Sequence, residues 1–247
     1  MKKLGLVGRN IGYSFSKNYF ASKFKRENIT DTYEYENYDL PSKEEITTIL
    51  KETTNLIGLN VTIPYKEEII PFLDGLSEDA KQIGAVNTLK KTESGQWIGY
   101  NTDYYGFLNS LFPLLQPHHT KALILGTGGA SKAVCYALAQ LNISTQLVSR
   151  NASPTTISYT ALNQEIINSH TIIVNCSPLG TFPDIEVSPE IPYQYLSPNH
   201  IAYDLIYNPE KTAFLTKAQQ QGATIKNGYE MLILQAEKAW EIWNDNA

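Results

Sequence analysis

The stretch Lys121-Ala-Leu-Ile-Leu125, running into Gly126-Thr127-Gly128-Gly129-Ala130-Ser131-Lys132-Ala133, constrains this chain more than any other. A short apolar run, a glycine turn and a helix start in that order open a βαβ unit. Glycines let the backbone turn tightly and let a pyrophosphate approach the helix N-terminus, where free N–H groups and the dipole favour anions. The third glycine position of such turns is Ser131 here. Taken by itself, the turn fits either a dinucleotide site or a tight structural link between strand and helix.

The residues that follow favour the first. Binders of unphosphorylated NAD place an Asp or Glu about 20 residues further on, against the ribose 2′-hydroxyl. No Asp or Glu occurs between Gly126 and Glu165, and the strand Gln146-Leu-Val148 ends in Ser149-Arg150-Asn151. An arginine there can pair with a 2′-phosphate. NADP is therefore favoured over NAD, the alternative being Arg150 as a solvated surface residue.

Strand-like and helical runs alternate almost throughout, the pattern of a parallel α/β sheet. Strands are predicted at 3–7, 33–38, 56–61, 122–126, 145–149, 171–175, 201–206 and 223–226. Helices are predicted at 15–27, 43–53, 103–114, 129–141, 158–168, 210–221 and 229–244. Ser42 and Glu45 form a capping-box pattern at the second helix. The polar, proline-containing stretch Pro113 to Thr120 marks the entry into a second domain.

With 247 residues, 42% of them hydrophobic and 18% charged, the chain reads as a globular protein of one or two domains. A net charge of −5 argues against nucleic acid or a membrane surface as partner. No apolar run approaches the roughly 20 residues of a membrane span, and the apolar start is too brief for a signal peptide. Cys135 and Cys176 make no disulfide framework, so free thiols in a cytoplasmic protein are expected. The four histidines lack metal-ligand spacing, and no metal site is expected.

The polar residues cluster where strands end. Leu56-Ile57-Gly58-Leu59 reads as a buried strand, then delivers Asn60, Thr62 and Lys66, with Pro64 stopping the strand. Ligands of open α/β sheets bind just beyond such ends, although an ordinary polar turn with Lys66 in solvent fits as well. Ser14 and Ser16 follow the first strand and can either cap a helix or donate to a carboxylate at its N-terminus. Gly84-Ala-Val-Asn87-Thr88 and Asn101-Thr102-Asp103 repeat the theme, with Asp103 either an N-cap or a partner for a lysine amine. Gln235 is the polar exception on a late amphipathic helix bearing Trp240 and Trp243.

At these residues the chain resembles the shikimate dehydrogenases, over nearly its whole length. The matching motifs are Ser14-x-Ser16, Asn-Val-Thr-x-Pro-x-Lys (60–66), Gly-Ala-Val-Asn-Thr (84–88), Asn-Thr-Asp (101–103) and Gly-x-Gly-Gly-Ala (126–130). Asn-x-Ser-Pro-x-Gly (175–180), Tyr-Asp-Leu-Ile-Tyr-Asn-Pro (203–209) and Met-Leu-x-x-Gln (231–235) complete the set. The resemblance implies an α/β substrate-binding and catalytic domain at 1–102, completed by 229–247, and a Rossmann-like NADP domain at 103–228. It implies that Ser14 and Ser16 hold the substrate carboxylate, that Thr62, Asn87, Asp103 and Gln235 bind ring hydroxyls, and that Tyr207 lies near the substrate. Lys66 and Asp103 would form the catalytic pair. Gly126, Gly128, Gly129, Ala130, Ser149 and Arg150 would bind the cofactor, with Gly228 near the nicotinamide.

The chain departs from the family's common pattern at Tyr13 (His), Lys17 (Pro) and Ser149 (Asn), and Ala152 to Thr155 supply no second basic residue. The reaction so implied is NADPH-dependent, reversible reduction of 3-dehydroshikimate to shikimate by a cytoplasmic monomer or homodimer, with Lys66 as proton donor. The alternatives are a dehydrogenase that also takes quinate, or a non-catalytic ligand-binding relative.

Overall fold

The computed structural model describes residues 1–12 and 14–245. Tyr13, one of the departures named above, lies outside them. The contacts divide the chain into two compact units, one comprising Met1–Thr102 with the chain from Ala236 on, the other Asp103–Gln235. The resemblance had assigned all of 229–247 to the first; the structure divides that last helix between the two after Gln235.

The first unit contains β1 (Lys2–Gly8), α1 (Phe15–Arg26), β2 (Tyr33–Asp39), α2 (Ile46–Glu52), β3 (Leu56–Val61), α3 (Tyr65–Glu68), β4 (Gly75–Leu76), α4 (Glu78–Ile83), β5 (Thr88–Lys91) and β6 (Trp97–Tyr100). Its six strands run in the order β2-β1-β3-β5-β6-β4. β1 pairs in parallel with β2 and β3, whereas β5 is antiparallel to both β3 and β6. The sheet is mixed rather than parallel throughout. The strands β5 and β6 are too short for periodicity to mark, and a turn closed by Gly95, whose positive φ suits glycine, joins them.

Both faces of this sheet are covered, so its central strands read as unbroken apolar runs. Val7, Leu59, Val61 and Leu89 pack on one side with Ile46, Leu50 and Tyr65. Leu4 and Leu6 pack on the other with Phe20, Phe24, Ala236, Ala239 and Trp243. Gly58 lies under the Trp243 indole, and a side chain there would collide with the ring. The indole N–H, so positioned, donates to the Leu89 carbonyl at 2.9 Å. The capping box does not form. Ser42 makes no capping bond and Lys43–Glu45 is a 3-10 turn.

The second unit contains α5 (Asp103–Leu111), β7 (Lys121–Leu125), α6 (Gly129–Gln140), β8 (Ser144–Ser149), β9 (Thr156–Ser158), α7 (Gln164–Ser169), β10 (Ile172–Asn175), β11 (Ile201–Asp204), α8 (Ala213–Gln220), β12 (Thr224–Lys226) and the start of α9 (Tyr229–Asn244). Its six strands are all parallel, in the order β9-β8-β7-β10-β11-β12. That is the 3-2-1-4-5-6 order of a Rossmann sheet, with its switch point between β7 and β10. Alternation along β7 sends Ala122 and Ile124 into one core and Leu123 and Leu125 into the other. The helix predicted at 158–168 is instead the end of β9, a 3-10 turn and the shorter α7, which Asn163 caps by accepting the Ile166 N–H at 3.0 Å.

Candidate functional site

In the first unit, backbone bonds bring the predicted side chains to one sheet edge. β1 and β3 are parallel neighbours, so both end on the same side. Beyond them the Thr62 N–H donates to the Val7 carbonyl at 2.9 Å, and the Arg9 N–H to the Ile63 carbonyl at 3.2 Å. Tyr65 is fully buried, and its hydroxyl donates to the Leu40 carbonyl at 2.6 Å. This anchors the short helix α3 that carries half-buried Lys66. The Lys66 carbonyl in turn accepts the Val86 N–H at 2.7 Å, one residue before Asn87.

Asn87 is buried in a polar brace. Its Oδ1 accepts the Thr102 N–H at 2.7 Å and the Thr88 hydroxyl at 3.1 Å, while its Nδ2 donates to Thr102 Oγ1 at 3.0 Å. Asn60 belongs to the same brace: Oδ1 accepts the Tyr35 hydroxyl at 2.8 Å, and Nδ2 donates to the Asn87 carbonyl and Thr88 Oγ1. Asn60 thus spends its amide on structure. Of the members of this brace, Asn87 alone was assigned a role from sequence, and Tyr35 belongs to no motif named there. Tyr35 gives no signal there, because its one hydroxyl looks like any buried tyrosine's.

Ser14 precedes α1 but makes no capping bond, so the capping alternative is not what forms. Its Oγ is buried without a hydrogen-bond partner, and so is Asn37 Oδ1. The Ile11 carbonyl accepts both the Ser14 N–H at 3.0 Å and Asn37 Nδ2 at 3.3 Å. Burial pushes the Tyr35 phenol well above its usual range, with the Ser16 side chain opposing the shift. Tyr35 is therefore a neutral donor to Asn60.

In the second unit the predicted cofactor residues stand at the carboxyl ends of β7 and β8. Gly126 has φ +115°, and a side chain there would press on the Cys176 carbonyl and the Ser177 N–H. Gly128 is the N-cap of the 12-residue α6, and a Cβ on it would meet nothing within 4 Å. Gly129 and Ala130 form the first turn of that helix. Ser131, in the third glycine position, is buried and donates to the Gly128 carbonyl at 2.6 Å. Ser149 ends β8, and Arg150 follows it exposed, close enough to Tyr159 to be felt by that phenol. An open glycine cradle, free helix N–H groups and an arginine without a neighbouring carboxylate in the strand end suit a phosphorylated dinucleotide.

Asp103, buried, opens α5, and Gln235, buried, lies on α9 with its Nε2 donating to the Leu232 carbonyl at 2.9 Å. Tyr207 is exposed after β11. Gly228 is backed by the Leu205 carbonyl so closely that any side chain would collide with it. Lys66, Asn87, Ser14 and Ser16 belong to the first unit, and Asp103, Tyr207, Gly228 and Gln235 to the second. Among the described residues, no group of three or more His, Cys, Asp or Glu could hold a metal, and no helix is long and apolar enough to cross a membrane. Cys135 and Cys176 are free and partly buried.

Residues 6–89 match the family model described as the shikimate dehydrogenase substrate binding domain. The chain is 36% identical over 265 residues to the NADP(+) shikimate dehydrogenase of Caldicellulosiruptor saccharolyticus, covering 99% of this chain and 93% of that one. Among solved structures, shikimate 5-dehydrogenase of Thermus thermophilus, in complex with NADP(H) and shikimate, superimposes with a TM-score of 0.87 at 30% identity, over 99% of this chain and 94% of that one. Quinate dehydrogenase of Corynebacterium glutamicum, in complex with NAD, gives a TM-score of 0.86 at 25% identity, over 98% and 93%.

Proposed function

This chain belongs to the shikimate dehydrogenase family, and from that premise we propose how its residues carry out the reversible, NADPH-dependent reduction of 3-dehydroshikimate to shikimate. NADPH, when bound, supplies the hydride. The first unit holds the substrate and the second the cofactor. Ser14 and Ser16 bind the substrate carboxylate at the N-terminus of α1, where the helix dipole adds to two hydroxyl donors. Thr62, Asn87, Asp103 and Gln235 bind the ring hydroxyls, and Tyr207 packs near them.

As the carbonyl carbon is reduced, negative charge grows on its oxygen. The Lys66 ammonium stabilises that charge and donates the proton; in the reverse direction its amine accepts it. Asp103 orients the ammonium and the substrate. The glycine turn and the first N–H groups of α6 receive the pyrophosphate, Ser149 and Arg150 the 2′-phosphate, and Gly228 leaves room for the nicotinamide.

The observation that carries this reading is the buried, unpartnered Ser14 hydroxyl. A buried donor without an acceptor costs about 1–3 kcal/mol, so its persistence points to a ligand that supplies the acceptor. The test is an absorbance assay of NADPH or NADH formation crossing shikimate and quinate with NADP+ and NAD+. Turnover of shikimate with NADP+ well above the other three pairs is expected. Equal turnover of quinate would make this a dehydrogenase of broader range, and substrate binding without turnover would end the enzymatic reading.

A further inference from the structure

Asp204 is fully buried at the end of β11, and no step above uses it. Its carboxylate accepts three hydrogen bonds: Oδ1 from the Ile206 N–H at 3.1 Å and from Asn175 Nδ2 at 3.1 Å, and Oδ2 from the Thr212 hydroxyl at 2.6 Å. Each donor leads somewhere useful. Asn175 ends β10, and its Oδ1 accepts both the N–H and the hydroxyl of Ser177, at 3.0 and 2.6 Å. The Cys176–Ser177 backbone so held is the surface against which Gly126 makes its turn. On the other side, the Ile206 carbonyl accepts the Gly228 N–H at 3.1 Å, and the Leu205 carbonyl backs Gly228. Thr212 caps α8 by accepting the Leu215 N–H at 3.3 Å.

We propose that Asp204, in its ionised form, is a positioning residue for the cofactor, clamping the backing of the Gly126 turn to the backing of Gly228. The clamp rests on the functional reading above, which puts the first of those glycines at the pyrophosphate and the second at the nicotinamide. Burial opposes the charge and pushes the Asp204 carboxyl up to about 6, against the pull of its three donors. The sign follows. A folded-state value above the unfolded one means that Asp204 contributes stability at low pH that is lost as pH rises through about 6. Its ionised form costs folding stability at neutral pH, a cost that the clamp explains. The titratable groups that feel Asp204 are Cys176 and Tyr193, both kept protonated by burial.

Protonation places a hydrogen where donors already converge, so one clamp bond is lost and the cofactor floor loosens. The direct readout is the Ile206 amide resonance, followed between about pH 5 and 8 with no ligand present. The wild type should show an inflection near the upper end of the carboxylate range. Thr212→Val, which removes a donor that favours the charge, should move it upward; Thr212→Ser should restore it, and Asp204→Asn should abolish it. NADP+ affinity, measured by calorimetry across the same range, should be about tenfold weaker or more in Asp204→Asn at neutral pH, with no loss of thermal stability, since small misplacements of binding groups cost on that scale. The 2′-phosphate titrates in both proteins, so the ratio of their affinities isolates Asp204, and that ratio should fall towards unity as the wild type protonates. An Ile206 amide without an inflection, or an Asp204→Asn protein with wild-type affinity, overturns the clamp. Failure of the wild type to bind NADP+ would overturn the functional reading, and the clamp with it, whatever the amide shows.

Discussion

The two sheets arm the ends of their strands with different materials. The first arms its edge with side chains: Ser14, Ser16 and Lys66 stand in the loop and helices that follow β1 and β3, Asn87 stands just before β5, and Asn60, Thr88 and Thr102 spend their polar atoms bracing Asn87. The second arms its edge with backbone: an open Gly128, the N–H groups of α6 and a buried carboxylate beneath. The difference suits the two ligands proposed for them. A small polyhydroxylated ring needs direction-specific donors and one proton carrier, whereas a pyrophosphate needs an array of N–H groups and close approach. Substitutions in the first region should therefore act through chemistry and shape, and those in the second through cofactor affinity.

The largest test of that contrast is Lys66→Ala. Proton transfer by a positioned side chain contributes about 10²–10⁴ in rate, so kcat should fall by that much while the KM values for substrate and NADPH move far less. Steady-state kinetics in both directions would check it, and a variant keeping most of its kcat would sink the lysine assignment. Next in size are two glycines. Gly58→Ala drives a methyl into the Trp243 indole, and overpacking of this kind costs about 1–3 kcal/mol. Thermal unfolding should fall by about 2–4 °C per kcal/mol for a chain of this length. Gly128→Ala meets open space at a φ that alanine tolerates, so its melting temperature should hold while the KM for NADPH rises. The reverse outcome would dissolve the distinction between a packing glycine and a ligand glycine.

What could be read from the residues divides along the same line. The Rossmann half was legible because a glycine turn between an apolar run and a helix has few other physical meanings, and because β7 and β10 are apolar on both faces. The order β9-β8-β7-β10-β11-β12 adds what no periodicity contains, the spatial neighbours of each strand. In the first half, the strands β5 and β6 were missed, since four residues are too few for a period of two to declare itself, and their polar ends stood out more than their apolar ones. Ser42 and Glu45 matched a capping pattern, yet the chain takes a 3-10 turn there and starts α2 at Ile46. Asn60 stood out as a polar residue at a strand end, but Tyr35, which holds it, could not be found without knowing that β1 lies between their strands. Asp204 was visible only as a letter in a motif; its burial and its three donors are tertiary facts.

Arg150 sharpens the cofactor side. Its guanidinium is exposed after β8, so a bond to a 2′-phosphate would act partly through solvent, and charge-assisted bonds of this sort are worth about 1.5–3 kcal/mol before that discount. Arg150→Ala should raise the KM for NADPH about tenfold and spare that for NADH. Equal effects on both cofactors would remove the phosphate role and leave Arg150 as a surface residue.

The smallest effect expected is also the sharpest within the first region. Ser14 and Asn60 are both polar residues near one edge, but Asn60 is satisfied by the protein and Ser14 is not. Removing the Ser14 hydroxyl takes away a buried donor that has no acceptor in the free protein, so Ser14→Ala should leave thermal stability unchanged or slightly raised. The KM for shikimate should rise by about fivefold, the worth of roughly 1 kcal/mol, with kcat nearly intact. Asn60→Ala should do the opposite, because it leaves the Tyr35 hydroxyl and the Thr88 side chain short of a partner: thermal stability falls, while the KM of the protein that remains folded changes little. Measuring both variants side by side, by thermal unfolding and by kinetics, separates a residue kept for the ligand from one kept for the fold. Two variants with the same profile would mean that the unpartnered hydroxyl marks no carboxylate site.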